Sequence, residues 1–507
     1  MQKTEKIQML KNVGSSWFSL GINVVLGVLL SPFILHRLGD AAFGLWVLIF
    51  SISGYYGLFD LGIRSSVVRY VSKFYALNDR ESLSKVISTS LFTYTCIGAA
   101  AMLLTIVGAL FVDSIFKIPP AFHESARWLF LMVGGSVALG FPLGVFGGVL
   151  EGVQRFYVVN LTTMGATLIR AALIVYFLNR GHGLLTAAFI TVALPLVGSL
   201  ARAWVACWAV RAPLRPRYVN RETARLIANY SGITFIILVA GRLRFQTDEI
   251  VIGTLLSSVA ITHFSIGARI VDYASEVVMG LAQIFNPMAS QSDAEGNSER
   301  LRKILVGGNR ACAFIIFPIA SILLLLGKSI IEVWVGARYI STSYPVLVIL
   351  TIPFTLMLAQ ATSGRILFGI GKHKMLAFVT LAEGFANLAL SILLVRPYGI
   401  VGDALGTAIP LSCTFIFFMP SHVCRMLGVR VGLFLRHAYV LPLIVCAPMV
   451  ATLLALRHWF VPHHLLQLAA QVLIAGSVYG GCFLWALHHH EALKIGKAVE
   501  EGAVTGA

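Results

Sequence analysis

Charge is scarce in this sequence, and acidic charge scarcer still. Of its 507 residues, 12% are charged, only 22 are Asp or Glu, and 58% are hydrophobic. Soluble domains carry about 25% charged residues, so a chain this apolar cannot cover a soluble surface and needs lipid as part of its solvent. The seven cysteines are scattered singly, without a CxxC pair, which argues against a disulfide framework. The polar, basic start has no short apolar core ending at an A-x-A-like site, so the first helix is expected to be retained rather than cleaved. Ten-residue alternating runs are missing, which argues against a membrane barrel.

Motifs for chemistry are missing as well. Gly327-Lys328-Ser329 lacks the first glycine of a phosphate-binding loop, since position 322 is Ile, and this argues against ATP-driven transport by this chain. His123-Glu124 lacks the second histidine of a zinc helix, no nucleophile elbow occurs, and His488-His489-His490 reads as a solvated tail. The loops are too short for the acidic extramembrane motif of a glycan polymerase. No catalytic residue, metal site or bound cofactor is expected.

What the chain has is apolar runs. Fourteen are expected to span, at 13–36, 42–63, 86–112, 126–150, 158–179, 184–209, 231–254, 261–288, 308–327, 344–368, 375–395, 400–422, 438–457 and 465–487. Most approach the roughly 20 residues that a spanning helix needs. Backbone groups in lipid must be satisfied within each segment, so the runs are helices and the fold class is all-α polytopic membrane protein. The net charge of +17 does not point to nucleic acid, because its Lys and Arg sit in short loops. They alternate strongly, about three to one, in favour of the loops that share a side with the termini. That bias predicts an even helix number with both termini cytoplasmic.

An internal repeat underlies the runs. A shift of about 217 residues lays spans 1–6 on spans 7–12. It places Asn12 on Asn229, Gly152-Val-Gln-Arg-Phe-Tyr on Gly369-Ile-Gly-Lys-His-Lys, and Leu178-Asn-Arg-Gly-His-Gly-Leu on Val395-Arg-Pro-Tyr-Gly-Ile-Val. Two six-helix, pseudo-symmetric lobes follow, an architecture of transporters with the substrate between the lobes. The expected organisation is an N-terminal lobe at 1–210, a cytoplasmic linker at 211–230, a C-terminal lobe at 231–424, two added helices within 425–490, and a cytoplasmic tail at 491–507.

The stretches Pro32-Phe-Ile-Leu-His-Arg-Leu-Gly-Asp-Ala-Ala-Phe-Gly-Leu-Trp46, Asp60-Leu-Gly-Ile-Arg-Ser-Ser-Val-Val-Arg-Tyr70, Gly152-Val-Gln-Arg-Phe156 and Thr247-Asp-Glu-Ile-Val-Ile-Gly253 carry a family likeness. The chain resembles the polysaccharide-transporter branch of the multidrug/oligosaccharidyl-lipid/polysaccharide exporter superfamily. The resemblance implies a two-lobed flippase for undecaprenyl-diphosphate-linked oligosaccharide in a bacterial inner membrane, working by alternating access. It also implies partners in membrane lipid, a polysaccharide polymerase and a chain-length regulator.

A charge at the bilayer centre costs roughly 2.5–3.5 kcal/mol on insertion scales, so in-span charges are the candidate working groups. Arg242 and Arg244 on span 7, Arg269 and Tyr273 on span 8, and Arg170 and Arg365 elsewhere are candidates for a cavity that holds a diphosphate and its sugar. Asp248, Asp272, Glu276 and Glu383 are candidates for a coupling H⁺ or Na⁺. The competing structural reading pairs Arg244 with Asp248 and Arg269 with Asp272 inside the helices. Arg202 is a further cavity candidate, but snorkelling to the cytoplasmic face is the expectation for it. Asp60 and Asp403 join the in-span acids that could bind a coupling ion, but Asp60 is expected to pair with Arg64 and Asp403 to start a helix. Two other functions stay open: a cation-coupled multidrug exporter of the same superfamily, and a membrane-embedded glycan polymerase.

Overall fold

In the computed structural model the described residues are 3–60, 62–210, 213–227, 239, 241–244 and 246–489, with backbone alone at 3–13, 16, 17 and 20. Among them all regular structure is helical, and eleven helices are long and apolar enough to cross a membrane. The stretch Lys374–Leu427 is one of the eleven but holds two passes. Its first helix runs 40 residues, about 60 Å, twice the roughly 30 Å hydrocarbon thickness, and Gly399 breaks it at φ 58°, ψ −140°. This is the turn predicted between 375–395 and 400–422. Expected span 8 is a 25-residue helix, Ser258–Ala282, that ends before Gln283. Expected span 7, 231–254, lies largely outside the described residues, as does the tail.

The chain divides into two compact units, Met1–Thr262 and His263–Ala507. The first holds α1 (Lys3–Leu38), α2 (Asp40–Tyr56), α3 (Ile63–Ala76), α4 (Arg80–Ile115), α5 (His123–Gly152), α6 (Phe156–Asn179), α7 (Leu184–Val210) and α8 (Asp248–Leu255). Helix α3 does not span. Its buried Ile63, Ser66, Val67 and Val71 form one face at helical spacing, packed on α4 and α5, while Arg69 and Lys73 are exposed. That is the pattern of a helix lying in the membrane interface. The apolar core beside it gathers Tyr94 of α4 and Val145, Val149 and Leu150 of α5. Lys117 caps α8, its ammonium donating to the Leu255 carbonyl at 2.7 Å and its backbone N–H to Gly253 at 3.0 Å.

The expected Asp60–Arg64 ion pair is replaced by a different arrangement. The Arg64 guanidinium grips Glu151 of α5 with two nitrogens, while Asp60 accepts the Tyr94 hydroxyl and the Arg64 backbone N–H. Four residues' separation places Asp60 over the start of α3, so it acts as a helix-terminal acceptor rather than a counter-ion.

The second unit contains most of α9 (Ser258–Ala282), then α10 (Phe285–Ala294), α11 (Ser298–Val335), α12 (Ile340–Ala359), α13 (Ala361–Gly369), α14 (Lys374–Cys413), α15 (Met419–Leu427), α16 (Val431–Leu435), α17 (Leu441–Trp459) and α18 (Leu465–His489). Expected span 10 is interrupted at Gln360, between α12 and α13. Two π-turns, Thr414–Phe418 and Arg436–Val440, join α14 to α15 and α16 to α17. In an i→i+5 register the carbonyls of Phe415 and His437 face residues 420 and 442, and both are prolines without an N–H. In each case a buried side chain from elsewhere in the unit donates instead: Gln360 Nε2, from the α12–α13 break, to Phe415 O at 2.6 Å, and Arg310 Nε, from α11, to His437 O at 2.7 Å. Large apolar side chains such as Leu466 and Trp459 are more than 80% exposed, as lipid-facing residues are.

Matching turns within each unit bear out the repeat. At the end of α5, Gln154 N–H bonds Glu151 O and Arg155 N–H bonds Leu150 O; at the end of α13, Gly371 bonds Phe368 O and Lys372 bonds Leu367 O. Both are the 5→2 and 6→1 bonds of a Schellman motif. A similar cap, one residue off that shift, joins α3 to α4 and α10 to α11: Asp79 caps Ser82 N at 3.0 Å, and Asn297 caps Arg300 N at 2.9 Å.

Candidate functional site

Between α6 and α7 the first unit has a half-open cavity of about 90 Å³, lined by Thr162, Thr163, Thr167, Arg170, Gly198 and Arg202 together with Ala166 and Pro195. Helix periodicity builds it. Thr163, Thr167 and Arg170 recur at i, i+4, i+7 and so share one face of α6, and Gly198 and Arg202 are one turn apart on α7. At Gly198 the helices approach to ordinary contact, since a Cβ there would lie 3.5 Å from Ala166 Cβ and from Thr162 O. Arg170 is the fifteenth residue of α6, about 21 Å along the axis from Phe156.

The two arginines differ in how they are held. Arg202 donates to Ser199 Oγ at 2.6 Å and to Thr163 Oγ1 at 3.3 Å, which fixes its guanidinium against the cavity wall. These bonds replace the snorkelling expected for it. Arg170 is half-buried and makes no hydrogen bond or ion pair with any described residue. Neither arginine has a carboxylate within ion-pair distance among the described residues, although the same unit pairs Arg64 with Glu151 and Arg127 with Asp113.

The span-7 arginines pack elsewhere in the first unit. The Arg242 side chain lies over Gly57 and that of Gln246 over Gly54, at the end of α2, where a Cβ would collide with either. Tyr55 ties this seam by hydrogen bonds to Thr247 Oγ1 at 2.8 Å and Arg242 O at 3.4 Å. Arg244 and Asp248, four residues apart, are both buried. In the second unit Arg269 is half-buried, Asp272 and Glu276 are exposed, and Tyr273 meets Trp334 edge-on at 6.4 Å. Arg365 is half-buried with its Nη2 4.0 Å from Met279 Sδ.

Glu383 belongs to a buried polar ladder within α14. Glu383, Asn387 and Ser391 are successive turns of one face, and across the Gly399 break they meet Asp403 and Thr407. Asn387 Oδ1 accepts Ser391 Oγ at 3.0 Å and Thr407 Oγ1 at 3.2 Å. Gly402 and Gly406 allow this approach, because a Cβ at either would strike the backbone of the opposite limb. Asp403, read from sequence as a helix-start residue, is fully buried here.

Sequence reasoning named Arg170, named Arg202 as a further candidate but favoured snorkelling for it, counted Asp403 among the in-span acids but favoured a helix-start role, and missed the three threonines. The threonine-arginine stripe on α6 was a weak signal, since helical threonine hydroxyls commonly bond the carbonyl one turn back, as Thr162 and Thr163 do here. The 217-residue shift carries a second signal. It lays Ala166 and Arg170 on Glu383 and Asn387, so equivalent helix faces hold a cation in one unit and a carboxylate in the other.

A family model described as polysaccharide biosynthesis protein matches residues 9–293, more than half of the chain. A Shigella flexneri protein named as a proposed O-antigen transporter is 22% identical over 409 residues, covering 80% of this chain and 95% of that one. Among solved structures, the lipid II flippase MurJ in an inward closed conformation aligns with a TM-score of 0.69 at 15% identity, over 94% of this chain and 98% of its own. An inward-facing multidrug resistance MATE family transporter of the MOP superfamily aligns with a TM-score of 0.67 at 15% identity, over 80% of this chain and 94% of its own. At these identities the structural likeness speaks for the fold.

Proposed function

The chain belongs to the polysaccharide biosynthesis protein family, and on that premise we propose that it translocates undecaprenyl-diphosphate-linked oligosaccharide across a bacterial inner membrane for surface polysaccharide assembly. The observation that carries this reading is the cavity between α6 and α7, where two arginines face a polar space with no paired carboxylate among the described residues. A cavity of that sign attracts a phosphate-bearing cargo and repels a cation. A cation-coupled drug exporter would need the reverse polarity, so the observation separates the two readings. The chain then acts as a transporter rather than an enzyme, with both termini cytoplasmic as the loop charges predict.

Movement against a gradient needs a driving ion. The buried carboxylates Glu383 and Asp403 are the groups best suited to bind H⁺ or Na⁺, because a buried acid in a membrane helix responds to whichever cation neutralises it. Polysaccharide polymerase and chain-length regulator would receive the cargo on the far side.

The reading is tested by a clean deletion in a strain without a redundant transporter. Lipid-linked repeat units should accumulate on the cytoplasmic leaflet and surface glycan should be lost. Normal surface glycan in that strain would remove the proposal.

A further inference from the structure

We propose that Arg170 and Arg202, with the hydroxyl of Thr167, form a phosphate-binding site inside the first unit. Its ligand is a lipid-borne phosphate: the diphosphate of an isoprenoid-linked glycan or the headgroup of a phospholipid. The first of these sources rests on the flippase reading above; the site's chemistry does not.

Three observations lead to it. The first is charge. Two like charges sharing one intramembrane cavity repel each other and are costly to desolvate, so an arginine kept there for packing alone would be paired. This unit pairs Arg64 and Arg127 with carboxylates; Glu151 acts on Arg202 only from beyond ion-pair distance and is already engaged by Arg64, and among the described residues Arg170 is ion-paired with no carboxylate. An anion from outside would satisfy both.

The second is donor geometry and size. Arg202 is held in place by Ser199 and Thr163, while Arg170 offers the N–H groups of an unengaged guanidinium. A planar fork of N–H donors matches the oxygens of a phosphate; the Thr167 hydroxyl can add a donor, whereas those of Thr162 and Thr163 already donate to the Val158 and Val159 carbonyls. The half-open cleft has about 90 Å³ of room for the centres of water-sized groups, several times what one water needs, so a phosphate group can enter it.

The third is the repeat. The shift that superposes the turns Gln154 and Gly371 lays Thr163, Thr167 and Arg170 on Thr380, Gly384 and Asn387. The second unit folds the equivalent helix without the arginine or the second threonine. The basic site is therefore a property of the first unit alone and not a requirement of the architecture.

The experiment uses purified full-length protein in nanodiscs of phosphatidylcholine. Binding of radiolabelled farnesyl diphosphate is measured for the wild type, Arg170→Ala, Arg202→Ala and the conservative Arg170→Lys, with melting temperatures recorded for each. Wild type should bind farnesyl diphosphate, farnesol should not compete, and inorganic pyrophosphate should. Each alanine variant should bind at least tenfold more weakly at an unchanged melting temperature, and Arg170→Lys should recover part of the loss. Competition by phosphatidylglycerol at similar strength supports the site with a headgroup as its ligand; lack of that competition supports the isoprenoid diphosphate. Undiminished binding by both alanine variants overturns the proposal, and so does competition by farnesol equal to that by pyrophosphate. Failure of the flippase reading is visible separately, as normal surface glycan in the deletion strain.

Discussion

Gln154 and Gly371 stand 217 residues apart and hold the same left-handed conformation, at φ 61° and 70°. Each is the residue that ends a helix by donating three residues back, and each is followed by a residue donating five back. Only one of the two is the residue type that the conformation favours. A side chain in the left-handed region crowds its own carbonyl, so Gln154→Gly is expected to stabilise the protein by about 0.5–1 kcal/mol. Gly371→Ala should destabilise it by about the same amount. Melting temperatures of the purified variants in one detergent check both signs. A Gln154→Gly variant that melts lower would show that the glutamine side chain is needed where it stands.

Gly198 offers a way to close the α6–α7 cavity without touching an arginine. A Cβ there makes ordinary contacts at 3.5 Å with Ala166 and Thr162, so Gly198→Ala should fold and export glycan normally. Gly198→Leu adds four carbons, about three of them beyond the Cβ, at a cleft with about 90 Å³ of room. Export should fall at least tenfold in Gly198→Leu at unchanged membrane levels. Export equal to that of the alanine variant would show that the cavity is a packing defect with no role in transport.

The fold was legible from sequence because lipid imposes a strong rule: each apolar run must satisfy its own backbone, so hydrophobicity alone places the helices. The repeat was legible because turns need special backbone conformations, and Gly152-Val-Gln and Gly369-Ile-Gly keep them. The site was legible only in part. In-span arginines announce themselves by cost, and Arg170 was found that way. What a side chain faces is set by helix rotation, and no apolar stripe fixes rotation in a helix that is hydrophobic all round. Arg202 lies nearer the end of its helix, where snorkelling was the simpler expectation, and it turns inward because Ser199 and Thr163 accept its N–H groups. Asp403 was hidden by its closeness to the Pro397–Gly399 turn, since proximity to a turn in sequence does not reveal that both limbs close over the carboxylate.

The two equivalent helix caps Asp79 and Asn297 should respond differently to acid. The Ser82 hydroxyl and then its backbone N–H hold the Asp79 carboxyl below its ordinary value of 3.8. A carboxyl whose folded pKa is depressed contributes stability above its unfolded pKa, about 3.9, and loses that contribution as pH falls through the folded value. Asn297 cannot titrate. Asp79→Asn keeps an acceptor at the cap, so it should leave stability near pH 7 little changed and reduce the fall in melting temperature between pH 5 and pH 3. An identical acid dependence in wild type and variant would show that this carboxylate is not differentially bound in the folded state.

The π-turn at Thr414–Phe418 makes a sharper prediction, because its cause and its remedy lie in different helices. Pro420 has no N–H for the Phe415 carbonyl, and Gln360 fills the gap from the break between α12 and α13 at 2.6 Å. Gln360 is 4% exposed, so water does not readily replace it. Removing the donor with Gln360→Leu should cost about 1–3 kcal/mol, the usual penalty for stranding a buried acceptor. Pro420→Ala supplies a backbone N–H near that carbonyl, which gives it a second route to satisfaction. The double variant Gln360→Leu/Pro420→Ala should then be more stable than Gln360→Leu alone, and the two changes should be non-additive by about 1 kcal/mol. Denaturation of all four proteins closes the cycle. Strict additivity would mean that proline and glutamine do not act on the same carbonyl, and the π-turn would need a different cause.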